Sequence, residues 1–181
     1  MNLRHVVAVL ASLAGLLALP AAADVVESTT TGFQLRFETT VAVPPDKAYA
    51  ALVGDVGKWW NMDHSYSRDG KNLTIDARPG GCFCEKLPNG GGVEHMRVVF
   101  AAPGNTLRLQ GGLGPLQTAG VVGSMAWRFI AAPNGTKIEM SYSVGGYLQG
   151  GLDKVSGAVN GVLGEQFTRL KTYIETGKPA A

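Results

Sequence analysis

The chain has 181 residues, 45% of them hydrophobic, with a formal charge of +2 at neutral pH. That is enough apolar sequence to build one domain with a buried core, and too short a chain for two ordinary ones. A charge balance this near neutral gives no basic field for nucleic acid and no membrane-surface patch, so no nucleic-acid partner is expected.

The N-terminus reads as a targeting segment. Arg4 and His5 form a short basic start, Val6 to Leu19 is an uncharged apolar run, and Pro20 with Ala21-Ala22-Ala23 completes a small-residue cleavage pattern. The run is about 14 residues long, short of the ~20 that span a bilayer. The expected organisation is a signal peptide over residues 1–23, a loose threonine-rich leader over 24–32 and one folded domain over 33–177. Cleavage near Ala23 would leave a periplasmic or secreted protein with no stable membrane insertion.

Phe33 to Glu38 alternates apolar and polar residues and runs on through Val41 and Val43, the pattern of a half-buried strand. Pro44-Pro45-Asp46 follows. Proline in a first turn and an acid at the positive end of the helix dipole both favour a helix start. Tyr49, Leu52 and Val53 form its buried side and Gly54 ends it. Val56 to Trp60 makes a short helical turn, from which two adjacent tryptophans cannot both point inward: one belongs to the core, the other to a cavity wall. Leu73 to Ala77 is a short strand. Cys82 to Glu85 and Val93 to Phe100 flank Pro88-Asn89-Gly90-Gly91, a hairpin signal. Further strands run through Leu107 to Leu109, Val121 to Phe129 and Ile138 to Val144, with a turn at Asn134-Gly135.

From Gly151 to Glu175 the period changes. Leu152, Val155, Val159, Val162, Leu163, Phe167, Leu170 and Ile174 recur at steps of three and four and form one helical stripe. Gly177 and Pro179 supply the stop. The whole reads as α+β: a curved antiparallel sheet with its helices on one face, the long C-terminal helix packed against it. Gly157, Gly161 and Gly164 within that helix suggest close helix–sheet packing, or room for a ligand beneath.

The order of these elements resembles the START-like, or SRPBCC, superfamily, nearest the bacterial polyketide cyclase and heat-shock-chaperone ATPase activator homologue group. The carriers are the opening strand into Val43-Pro44-Pro45-Asp46-Lys47-Ala48-Tyr49, the Trp59-Trp60 pair, and Arg78-Pro79-Gly80-Gly81 ahead of a strand. Gly135-Thr136-Lys137-Ile138 and the ending Leu170 to Glu175 complete them. The resemblance covers about Phe33 to Gly177. It implies a helix-grip fold and an interior cavity that holds a hydrophobic small molecule. It fixes no single activity, and an export signal fits poorly with activation of a cytosolic chaperone.

Candidate chemistry centres on the hairpin. With a four-residue loop, Cys84 lies opposite His95 and Cys82 opposite Arg97, all on one face; a one-residue slip brings Glu94 or Met96 opposite instead. The cysteines read as small core residues, as zinc ligands with His95, or as a disulfide. The paired spacing of a structural zinc site is absent, so no metal is expected. Cysteines two apart on a regular strand have Cα atoms about 7 Å apart, so a bond between them needs a bulge, and free thiols or a mixed population are expected. His95 is a candidate general acid or base; Arg97 or Tyr142 would stabilise an enolate.

Trp59, Trp60, Met125, Trp127 and Tyr147, with Cys82 and Cys84, are candidate ligand contacts. Gly111 to Gly114 lacks any phosphate-loop or dinucleotide spacing, so no cofactor is expected, and its roles are a wide turn or a lip over a cavity mouth. The leading expectation is a binder of a small hydrophobic or aromatic molecule. The alternatives are a cyclase or dehydratase and an interaction domain with no ligand.

Overall fold

Alternation along the strands builds the sheet. The computed structural model describes residues 22–180, in which eight strands form one antiparallel sheet. They are β1 (Ala22–Thr29), β2 (Gly32–Val41), β3 (Leu73–Ile75), β4 (Cys82–Lys86), β5 (Gly92–Ala102), β6 (Thr106–Gln110), β7 (Gly120–Ala132) and β8 (Gly135–Tyr147). Their spatial order is β1-β2-β8-β7-β6-β5-β4-β3. Three helices cover one face: α1 (Pro45–Gly54), α2 (Val56–Trp59) and α3 (Asp153–Thr176). This is the helix-grip architecture, a curved sheet closed around its C-terminal helix.

The central rows show why the sheet holds α3. In β8, Thr136, Ile138, Met140, Tyr142 and Val144 are buried, and the intervening residues face away. Phe37 of β2 lies opposite Met140, which lies opposite Trp127 of β7. Phe167 of α3 meets this row, its ring 5.7 Å from Phe37 and 5.9 Å from Trp127. Each such side chain contributes roughly 1.5–3 kcal/mol by leaving water. Gly177 closes α3 in the left-handed region at φ 75°, where its N–H caps the Tyr173 carbonyl.

Two expectations change here. The stretch read as a loose leader is strand β1, paired along β2. Ala22 and Ala23, which the expected cleavage removes, open that strand; the remainder of the expected signal peptide lies outside the described residues. The β1–β2 turn also anchors α3, through Leu152 N–H to the Thr30 carbonyl (2.9 Å) and the Ser28–Ser156 hydroxyl pair (2.9 Å). Polar Thr29 to Thr31 therefore holds a helix start. The second change concerns Gly157 and Gly161, whose absent side chains would meet open space. They lie on the exposed side of α3 and make no room against the sheet. Among the described residues no helix is long and apolar enough to cross a membrane.

Candidate functional site

The hairpin register decides what faces the concave side of the sheet. Leu87 N–H bonds to the Gly91 carbonyl, and Pro88–Gly90 makes the turn between them, with Asn89 and Gly90 both at positive φ. The connection is one residue shorter than the four-residue loop expected from sequence. The pairs nearest it are Lys86↔Gly92, Glu85↔Val93 and Cys84↔Glu94, whereas farther along they are Phe83↔Met96 and Cys82↔Arg97. His95 is the extra residue at the slip, a β-bulge. A bulge lets two successive side chains take the same side, and His95 and Met96 are both buried.

The bulge brings His95 to Glu85, a residue the sequence reading did not select for chemistry. His95 Nε2 lies 3.0 Å from Glu85 Oε2, and both side chains are almost fully enclosed. Glu85 also accepts from the backbone N–H groups of Tyr66 (3.1 Å) and Ser67. Burial pushes its carboxyl up, but the hydrogen bonds from Ser67, Tyr66 and His95 outweigh that and hold it below the ordinary carboxylate value. Burial lowers the His95 pKa, and the Glu85 charge only partly opposes this. The pair at neutral pH is thus a carboxylate and a neutral imidazole. A carboxylate can only accept, so Nε2 carries the proton and Nδ1 the lone pair. Among the described residues, Nδ1 has no hydrogen-bond partner.

His95 lines an open cleft of about 510 Å³. One wall is the N-terminal half of α3, with Val155, Val159 and Val162. A second is the single helical turn Gly114–Thr118, with Pro115 and Leu116. The third is the loop from Trp60 to Tyr66. The helical stripe explains the opening: Leu163, Phe167 and Leu170 are buried against the sheet, whereas Val155, Val159 and Val162 are only half covered. The loop is pinned to α3 by Asn61 N–H to Gln166 (2.7 Å) and by Arg169 to the Trp59 carbonyl (2.9 Å). His64 at the rim pairs with Glu165 at 3.2 Å. The glycine-rich wall is tied from below: the Tyr142 hydroxyl donates to the Gly111 carbonyl (3.0 Å) and accepts from Leu113 N–H (3.2 Å). A side chain at position 123 would collide with both Tyr142 and the Gly111 carbonyl, so Gly123 permits this crossing.

Of the residues selected from sequence, His95 and Trp60 line the cleft. Trp59 is core, its indole N–H bonded to the Ala51 carbonyl. Together with Met125, Trp127 and Trp60 it borders a separate apolar void of about 30 Å³ between sheet and helix. Tyr147 is 73% exposed and away from both spaces. Arg97 points to the outer face and pairs with Glu94, so it cannot act with His95. Tyr142 is fully buried with its hydroxyl engaged, and burial raises its pKa to about 12; it is a strut for the wall.

Cys82 and Cys84 are disulfide-bonded, with Cα atoms 5.4 Å apart, in place of the expected free thiols or mixed population. They lie on the opposite face from Phe83 and Glu85 and do not touch the cleft. The bonded pair sits where the β4–β5 register shifts. Among the described residues no group of His, Cys, Asp or Glu is placed to hold a metal ion.

Trp60, Leu113 and Leu163 border both the cleft and the void. Leu113→Ala is expected to join the two spaces and to raise affinity for elongated apolar probes several-fold over compact ones in a fluorescence titration. An unchanged ratio would show that Leu113 is not the partition.

No protein-family model matches the chain, and no curated protein matches it. Solved structures do. CalU16 from Micromonospora echinospora superposes with TM-score 0.60 at 12% identity, over 90% of this chain and 88% of that one. A conserved protein of unknown function from Enterococcus faecalis, EF2215, gives 0.58 at 15% identity, over 88% and 80%. DynU16, described as a putative protein in the dynemicin biosynthetic locus, gives 0.58 at 18% identity, over 81% of this chain and 48% of that one. Identities this low carry the fold and no activity.

Proposed function

We propose that this is an exported START-like protein that binds a small hydrophobic or aromatic molecule in the cleft between α3, the Gly114–Thr118 turn and His95. The observation that carries the reading is the cleft itself. Its volume of about 510 Å³ lies within the ~300–1,000 Å³ range of small-molecule sites, its walls are mainly apolar, and one buried polar group sits among them. The likeness to a protein of a biosynthetic locus agrees with a small-molecule partner. Export is supported by the basic and apolar N-terminal pattern and by the Cys82–Cys84 bond, which suits an oxidising compartment.

Native mass spectrometry of protein purified from its own host tests the reading. An extra mass is expected that is lost on denaturation and absent from Val159→Trp, which fills the cleft from α3. Because Val159 borders open space, Val159→Trp should shift Tm by only a few degrees while lowering affinity for an added naphthalene probe at least tenfold. Bare mass together with no probe binding would sink the binder and favour an interaction domain without a ligand.

The Glu85–His95 pair favours a second reading, a cyclase- or dehydratase-type enzyme on a polyketide-like or aromatic substrate. In it Nδ1 of His95 takes a proton and Glu85 steadies the imidazolium that forms. Substrate turnover abolished in His95→Ala with binding retained would select it.

A further inference from the structure

Of the polar side chains on the cleft, Asp63, His64, Ser65 and Tyr66 belong to the loop at its rim, and His95 is the buried one and offers an acceptor. The Glu85 carboxylate is fixed by two backbone N–H groups, so its orientation does not depend on His95. It holds the proton on Nε2 and leaves the Nδ1 lone pair as the remaining polar capacity of the imidazole. The ring cannot turn freely. It lies against Phe83, with centroids 4.7 Å apart, and Tyr66 stacks over it at 6.0 Å with planes 26° apart. We propose that the cleft selects a neutral aromatic bearing a hydroxyl, a phenol or an enol, whose O–H donates to Nδ1 of His95. The proposal rests on the binding reading above.

The chemistry excludes the other common polar groups in turn. An ether or ketone offers only acceptors, so its oxygen would face a lone pair and leave both unpaired, an unfavourable burial. A carboxylate brings the same mismatch and a second negative charge beside Glu85. An ammonium group can donate, but it would shed its hydration against Leu116, Val155, Val159 and Val162. The Glu85 charge cannot compensate fully, being already met by three N–H donors, and the Asp63 carboxylate on the cleft is exposed to water that screens it. A neutral hydroxyl satisfies the lone pair and places its ring against apolar walls. Trp60 adds an aromatic surface on the same cleft.

The test compares four probes of one shape on the full mature protein, by Trp fluorescence and calorimetric titration: 2-naphthol, 2-methoxynaphthalene, 2-naphthoate and 2-naphthylmethylammonium. The expected result is that 2-naphthol binds about tenfold tighter than 2-methoxynaphthalene, a factor equal to about 1.4 kcal/mol, and tighter than either charged probe. In His95→Phe the preference for 2-naphthol over 2-methoxynaphthalene should disappear. The comparison on unaltered protein needs no variant, so it stands even if His95→Phe folds poorly.

Equal binding of the two neutral probes to the unaltered protein overturns the hydroxyl proposal and leaves the binding reading intact, as does a tighter charged probe. A hydroxyl preference that persists in His95→Phe removes the assignment to Nδ1. Failure of all four probes to bind overturns the binding reading with it.

Discussion

Glu85→Ala is expected to destabilise the protein by about 3 kcal/mol and to abolish selective binding in the cleft. Glu85 is 2% exposed, and its carboxylate accepts from Tyr66 N–H, Ser67 N–H and His95 Nε2–H. Removing it orphans three donors, and a buried donor left without a partner costs about 1–3 kcal/mol. Water entering the vacated space recovers part of the sum. At this chain length a loss of that size lowers Tm by about 10 °C, which thermal unfolding followed by circular dichroism would read. A shift under 3 °C would show that the network contributes little to folding. Glu85→Gln keeps the shape but turns its amide N–H against one of the donors. If that amide donates to His95 Nε2, the imidazole proton moves to Nδ1. The preference for 2-naphthol over 2-methoxynaphthalene should then shrink or reverse.

The same pair sets the response to pH. The native His95 pKa lies below its ordinary 6.5 because of burial. Between the two values the unfolded chain binds a proton that the native protein does not, so stability falls as pH falls from about 6.5. Glu85 acts in the same direction lower down. Its native pKa is below the ordinary 4.5, so its contribution is complete above that value and is lost as pH drops through the native pKa. Chemical unfolding at a series of pH values should show stability declining from about pH 6.5 downward, with the upper part of the decline missing in His95→Phe. Binding of 2-naphthol should hold through that upper range and weaken only as pH drops through the lowered native pKa of His95, since a protonated Nδ1 no longer accepts.

The residues that define this behaviour were only partly legible in the sequence. The strands β2 to β8 and the helices α1 and α3 follow from period and turn signals, because each strand buries one face and each of these helices one stripe, while α2 reads as a short helical turn. Pro45 and Gly54 bound α1 as capping chemistry predicts. Of the adjacent tryptophans, Trp59 is core and Trp60 lines the cleft. β1 was missed because Ala22 to Thr29 shows no regular apolar–polar alternation and its partner, β2, is a contact that periodicity alone does not reveal.

Glu85 was missed for a sharper reason. A constant register places Cys82 and Cys84 on the His95 face, and one slip reverses it. Phe83 and Glu85 then face His95, and the cysteines face out with Arg97 and Glu94. The signal was present in the hairpin, since Pro88-Asn89-Gly90 can close a three-residue turn with Asn89 and Gly90 at positive φ. The decision between three and four loop residues is small locally and decides the chemistry of the whole site.

The disulfide gives that decision a second lock, and opening it is expected to affect binding far more than stability. A bond closing three residues contributes only about 1.5 kcal/mol by chain entropy, so reduction, or replacement of both cysteines by serine, should lower Tm by about 5 °C. Its local effect is larger. The bond draws the two Cα atoms to 5.4 Å, well under the roughly 7 Å of a straight strand, and so bends β4 at Phe83. A strand bent there cannot carry a straight ladder past the bend, and the slip falls at the next pair, where His95 is the residue left over.

With the bond open, β4 can straighten and Cys84 can pair with His95, which turns the imidazole to the outer face and away from Glu85. The expected result for Cys82→Ser/Cys84→Ser is a loss of the 2-naphthol preference, with affinity for that probe down at least tenfold and binding of 2-methoxynaphthalene little changed. Exchange of the His95 amide and the NMR shifts of its ring should report the new register directly. Retention of the hydroxyl preference alongside the modest fall in Tm would reduce the bond to a staple, and would assign the bulge to the Pro88–Gly90 turn alone.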